Sequence, residues 1–234
     1  MPRTLKGLAL GLLSILAVSV SAQEAEQAAE GWSVSEPPGA WREIAIDTEE
    51  TTWSNVSVSA DGRTIVFDML GDIYTVPIDG GEATALTQDI AWNFQPTFSP
   101  DGSRIAFISD RDGADNLWVM DADGSNARQV SQEESNLVHN PAWSPDGEYL
   151  AAKKSFMGSR SIAGGEIWMF HAGSQGTGLQ LTERPFGDED QKNQADPAFS
   201  PDGRYVYFAQ DTTPGRVWQY SKDGTGQILS LIHI

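Results

Sequence analysis

One four-residue turn, written four times, constrains this chain more than any other feature. It reads "SPDG" at 99–102, 144–147 and 200–203, and "SADG" at 59–62. Proline sets φ near about −65° at the first central position, Asp tolerates the bridge region at the second, and Gly takes the left-handed conformation that closes a three-residue hairpin with a bulge. Pro100, Pro145 and Pro201 hold the first of these positions, and Ala60 stands there in the first copy. Such a turn specifies an antiparallel hairpin rather than a catalytic loop.

The flanks repeat with the turn. Aligned on Asp61, Asp101, Asp146 and Asp202, the units advance by 40, 45 and 56 residues with their parts in constant order. Each opens on a short strand ("NVSV", "QPTF", "NPAW", "DPAF"). After the turn comes a strand that is apolar on both parities: Ile105 and Phe107 alternate with Ala106 and Ile108, and Tyr205 and Tyr207 with Val206 and Phe208. A strand with one wet face alternates apolar with polar, so these strands must be covered on both faces. A third strand carries "GDIYTVPID", "DNLWVMDAD", "GEIWMFHAG" or "GRVWQYSKD", with Tyr74, Trp118, Trp168 and Trp218 in matching places. A Gly-containing turn leads to a fourth, "ATALT", "ARQVS" or "LQLTE", whose alternation suits an edge nearer solvent. The expected fold class is therefore all-β: a β-propeller of four-stranded antiparallel blades, with four recognisable blades and an incomplete ring. A β-sandwich gives no reason for near-identical four-strand units.

The expected organisation is a signal peptide at 1–22, an N-terminal segment at 23–52 with room for one outer strand, and blades at about 53–90, 91–135, 136–190 and 191–228. An atypical tail, 229–234, follows. Arg3 and Lys6 precede the apolar "GLALGLLSILAVSV", and "VSA" precedes Gln23, which reads as a Sec-type signal cleaved after Ala22. The apolar run spans about 21 Å as a helix, short of a hydrocarbon core of about 30 Å. A periplasmic or secreted protein is expected, with no membrane attachment after cleavage. The chain has no Cys, so neither a lipid-modified cysteine nor a disulfide framework is available. Fifteen basic against 33 acidic residues give a net charge of −18, which argues against nucleic acid, because phosphate binding needs a basic surface.

The phrases "SPDGSRIAFISDRDGADNLWVMDADGSNARQVS", "GDIYTVPIDGGEATALT", "GGEIWMFH" and "LQLTERPFGDEDQKNQADPAFSPDGRYVYFAQDTTPG" resemble the TolB-like propeller repeat, from about Trp53 to Asp223. More narrowly, they resemble the N-terminal propeller of large exported amidohydrolase family proteins. That resemblance implies further blades and a metal-dependent hydrolase barrel beyond this stretch, so an N-terminal fragment is expected. A divalent metal such as zinc is implied only for that barrel, and no cofactor for this segment. The ending "QILSLIHI" is an apolar run without an evident turn or strand partner and is read as foreign from Leu229 on.

No catalytic, cofactor-binding or metal-binding residue is assigned. His139, His171 and His233 are separate in sequence, whereas an amidohydrolase needs an "HxH" pair, two further His and an Asp. Ser174 in "AGSQG" misses the first glycine of a nucleophile elbow and sits in a hairpin turn. "DRDGAD" (Asp110, Asp112, Asp115) and "DADGSN" (Asp121, Asp123, Asn126) offer oxygens of the kind Ca²⁺ takes, but turn chemistry demands the same residues and no Glu follows at the twelfth position. The expected roles are a scaffold or substrate-gating module for the protein's own further domain, or a TolB-like propeller that docks envelope proteins through insertions such as Lys153–Gly165 and Arg184–Pro197. The propeller of a prolyl-oligopeptidase-type serine peptidase is the third reading.

Overall fold

The computed structural model describes residues 44–157, 162–183, 194–210 and 227–233, with a few isolated positions before residue 44. The leader 1–22, most of the 184–197 insertion and the segment bearing Trp218 lie outside the described residues.

Four antiparallel sheets follow one another along the chain. The first contains β1 (Val56–Val58), β2 (Thr64–Met69), β3 (Asp72–Pro77) and β4 (Thr84–Ala85); the second contains β5 (Asn93–Phe98), β6 (Arg104–Ser109), β7 (Asn116–Asp121) and β8 (Arg128–Gln129). The third contains β9 (Leu137–Trp143), β10 (Tyr149–Met157), β11 (Ile162–His171) and β12 (Leu179–Gln180); the fourth contains β13 (Gln194–Phe199), β14 (Tyr205–Gln210) and β15 (Gln227–His233). Within each sheet the strands lie in chain order, every neighbour antiparallel. Residues 44–52 form no strand.

The doubly apolar second strands behave as their pattern requires. Ile105 and Phe107 of β6 pack with Val66, Ile73 and Phe98 toward the first sheet. Ala106 and Ile108 pack with Leu150, Ala152 and Phe170 toward the third. A smaller cluster of Ala151, Ile167, Val206 and Phe208 joins the third sheet to the fourth. A fully buried Phe or Ile stabilises by about 1.5–3 kcal/mol, so these three seams hold the stack together. Among the described residues no such cluster joins the first sheet to the fourth, and these sheets form an open arc. On the free side of the first sheet, Val56 and Val58 pair with Phe67 and Ile65 and are exposed.

The hairpin turn is more tightly bonded than its Pro, Asp and Gly alone require. In every copy the Ser hydroxyl donates to the Asp carboxylate, at 2.5–2.6 Å, and accepts the backbone N–H five residues on, at 2.9–3.0 Å. The Asp also accepts the N–H two residues on, and the Gly sits at φ 71–73°. Chiefly through the Ser hydroxyl, the carboxyls of Asp101 and Asp202 are lowered to about 2, and those of Asp61 and Asp146 are lowered as well.

Two expectations change. Lys153–Gly165, expected as an inserted loop, is largely ladder, because β10 and β11 pair from Tyr149–His171 as far as Met157–Ile162. The backbone pairs from Lys153 to Met157 on one side and Ile162 to Gly165 on the other, so the insertion lengthens a hairpin. The run at the C-terminal end, expected to lack a strand partner, forms β15 and pairs with β14 from Gln210–Gln227 to Tyr205–His233. Its backbone occupies an edge of β14.

Candidate functional site

The topology divides the molecule into two unlike ends. At one lie the connections from first to second strand, five residues each, and the Gly turns between third and fourth. At the other lie, among the described residues, the β2–β3 and β6–β7 connections, the outer end of the β10–β11 ladder, and the links between sheets. Binding residues concentrate where a rigid scaffold carries variable loops, so the second end, called here the loop end, is the place to look.

A cleft of roughly 310 Å³ runs between the first strands, lined by Asn55, Gln95, Asn140 and Asp196 and the prolines that follow three of them. Gln95, Asn140 and Asp196 have φ of 53°, 55° and 52°, each at a bulge in its strand. Polar hydrogen bonds tie the sheets together around it. The buried Asp68 carboxylate accepts Asn55 N–H (2.7 Å), Asn55 Nδ2 (2.8 Å) and Gln95 N–H (2.7 Å), and Gln95 Oε1 accepts Asn140 N–H (2.7 Å). Sequence reading takes Asn55, Gln95, Asn140 and Asp196 only as parts of strand openers and does not single out Asp68. The signal that could have found them is the polar-Pro pair recurring in "QPTF", "NPAW" and "DPAF".

A buried polar knot lies between the second and third sheets. Lys154 Nζ is 2.6 Å from Glu133 Oε1, both side chains more than nine-tenths buried, and stands 4.1 Å from the centre of the Trp168 ring. Glu133 Oε2 accepts Asn136 Nδ2 (2.8 Å), and Gln180 donates to the buried Glu166 (2.9 Å). Nearby, Ser131 Oγ accepts Leu117 N–H and donates to Asn116 Oδ1. Thr87 and Thr182 accept the matching N–H of Ile73 and Ile167. The hydroxyl closing each fourth-strand phrase thus caps the neighbouring third strand. Lys153 lies nearer the cleft, its pKa lowered by burial and opposed by the charge of Asp196.

The chemical candidates of the sequence do not converge. His139 lies within β9, not ahead of it, with Nε2 2.9 Å from Asp115 Oδ2 and its ring edge-on to Phe94. His171 Nδ1 accepts Gly173 N–H (3.0 Å), and Ser174 sits in the following turn with its own N–H on His171 O. His233 lies in β15 opposite Tyr205. Asp110 accepts Trp92 N–H, Asp112 accepts Asn116 and Gln129 side chains, and Asp115 faces His139, so the three carboxylates of "DRDGAD" share no partner. Burial raises the Asp112 carboxyl. In "DADGSN", Asp121 accepts Asn126 Nδ2 and Asp123 accepts Ser125, as turns of this composition do. Among the described residues no three His, Asp or Glu side chains cluster as metal ligands. No helix among them is long and apolar enough to cross a membrane.

Stacked antiparallel sheets, three of four strands and one of three among the described residues, with first strands around a cleft define a β-propeller. The TolB beta propeller domain family matches residues 52–230, and the chain belongs to that family. A solved TolB protein of Agrobacterium tumefaciens shares the fold at TM-score 0.56 and 21% identity, over 76% of this chain and 57% of that one. Among curated sequences, a tricorn-like protease C-terminal subunit of Sulfurisphaera tokodaii is 27% identical over 67% of this chain and 16% of its own length. The peptidase YuxL of Bacillus subtilis is 30% identical over 50% of this chain and 22% of its own. The chain thus spans less than a quarter of the length of these curated relatives.

Proposed function

We propose that this propeller is the non-catalytic module of a larger exported hydrolase, and that the hydrolase is a peptidase. The observation that carries the reading is the pairing of two facts about the curated relatives: they are named as a protease subunit and a peptidase, and the match covers only a small part of each. The names of these relatives favour the peptidase alternative over the amidohydrolase implied by resemblance. In this reading the loop end orients or restricts access to a catalytic domain, and export follows from cleavage after Ala22. A scaffold role is supported by where these side chains go: Ser and Asp pair within the hairpin turns, His171 caps a turn, and His139 pairs with Asp115 alone.

The test is to recover the coding sequence beyond Ile234, express the longer product and assay it with peptide p-nitroanilides and with N-acyl amino acids. A "GxSxG" elbow with peptide cleavage abolished by replacing its Ser is the expected result. An "HxH" barrel that cleaves only the acyl substrates overturns the peptidase reading. A frame that closes within the propeller leaves the TolB-like binding reading in its place. Edman sequencing of the exported protein is expected to begin at Gln23.

A further inference from the structure

At the loop end, beside the first sheet, a groove of about 630 Å³ is walled by Trp53, Leu70, Trp92, Phe94 and Ile46. The three residues that dominate it are apolar and strongly exposed: Trp53 100%, Leu70 61% and Trp92 55%. Solvent exposure of this kind is ordinary for scattered residues and informative when contiguous.

The backbone makes the arrangement more than incidental. Trp53 has φ 60° and Leu70 has φ 54°, whereas the other non-glycine residues at positive φ among those described are Asn, Asp or Gln. Positive φ in a bulky apolar residue is costly, and such strain persists where surrounding structure over-determines it, most often at binding sites. Here it turns two hydrophobic side chains outward at the same groove. Trp92 is fixed as well. Its N–H donates to Asp110 Oδ1 (2.7 Å), and its ring lies so close on Gly71 that a Cβ there would stand 2.8 Å from Cε3. Asn93, the next residue, donates its N–H to Gly71 O (2.8 Å), and Arg111 binds Asn93 Oδ1 (2.7 Å). Trp92 is held before any ligand arrives, whereas Trp53 stands fully exposed at the groove.

The rim is acidic. The segment that forms one wall carries Asp47, Glu49 and Glu50, all exposed, and Asp89 and Asp110 lie behind Trp92. The nearby cation Arg111 is engaged by Asp89 (3.3 Å) and by the rings of Phe107 and Trp118. A second copy of this chain docking at this groove through its own acidic rim would set like charges against each other, which disfavours self-docking there.

We propose that this groove is a docking site for a basic peptide segment of a partner protein, with an apolar side chain seated between Trp53, Leu70 and Trp92 and Lys or Arg side chains on the acidic rim. The inference does not depend on whether a peptidase domain accompanies the propeller. Preorganised aromatic anchors with a charged surround are the usual makeup of a binding hot spot.

The test uses the full chain and fluorescein-labelled capped peptides read by anisotropy. One peptide has a Leu pair flanked by Lys; one replaces the pair by Ser; one replaces Lys by Glu. The expected result is that only the first binds, and that Trp92→Ala and Leu70→Gly each weaken it by about tenfold or more. Leu70→Gly separates docking from folding, because glycine relieves the positive φ and the variant should melt no lower than the parent. Equal binding of the Ser-centred or the Glu-flanked peptide overturns the proposal, as does unchanged affinity in Leu70→Gly. Sedimentation equilibrium showing a parent dimer that Trp53→Ala abolishes also overturns it, because the occupant would then be a second copy.

Discussion

Replacing Lys154 by Met removes a buried ammonium and leaves its carboxylate partner stranded. The Glu133 side chain is 6% exposed, retains a neutral donor in Asn136 Nδ2 (2.8 Å), and loses the charge 2.6 Å away. An uncompensated buried charge of this kind costs about 3–5 kcal/mol, much of it desolvation that the ion pair had offset. The contact of Nζ with the Trp168 ring at 4.1 Å adds up to about 2 kcal/mol where desolvated, although the Met side chain recovers part of that packing. At about 2–4 °C per kcal/mol for a domain of this size, Lys154→Met should melt about 6–20 °C below the parent. Adding Glu133→Leu removes the stranded charge, and the double variant should return to within about 2 kcal/mol of the parent. Urea unfolding followed by tryptophan fluorescence, in a double-mutant cycle, reads both numbers. A coupling energy below about 1 kcal/mol would refute the reasoning, because the two groups would then be behaving as a solvated surface pair.

Three further outcomes follow from the same geometry. The Asp101 and Asp202 carboxyls are held at about 2, below their ordinary value, so the stability they contribute is present above about pH 4 and is lost as pH falls toward 2. Urea midpoints measured across that window should fall, and Ser99→Ala, which removes the donor to Asp101 (2.6 Å), should flatten part of the fall. Gly71→Ala places a methyl group 2.8 Å from the Trp92 ring at φ 90° and should cost about 1–3 kcal/mol by thermal unfolding, with Trp92 fluorescence perturbed. The uncovered face of the first sheet, with Val56 and Val58 exposed, should make the protein self-associate and dissolve poorly; Val56→Lys with Val58→Lys should give a monomer by sedimentation velocity, and a monodisperse parent would count against this.

How much of the molecule was legible depends on how far apart its determinants lie in the chain. The "SPDG" hairpins were readable because Pro, Asp and Gly act within one turn, and even the Ser contribution spans only five residues. The double burial of β6 was readable too, since Ile105 and Phe107 alternate with Ala106 and Ile108, and the structure sends the two sets to different seams. By contrast, the pattern "KKSFMGSRSIAGG" carries polar, small and glycine residues that suggest a loop, and only pairing across the hairpin turns most of it into strand. The sites were the least legible part. Asp110, Asp112 and Asp115 look like one cluster in sequence, but the fold supplies each with its own partner at a separation of 4 to 24 residues.

The sequence by itself determined the class of this protein: repeated local turns and doubly apolar strands permit only stacked antiparallel sheets, for reasons of φ preference and burial that need no distant partner. Tertiary structure decided everything that depends on long-range proximity. It put Lys154 against Glu133, linked Asn55, Asp68, Gln95 and Asn140 around a cleft, and gathered Trp53, Leu70 and Trp92 from separate segments into one acidic-rimmed groove. Those side chains meet only because the sheets stack in register, which is a property of the packed arc and of no single stretch of chain.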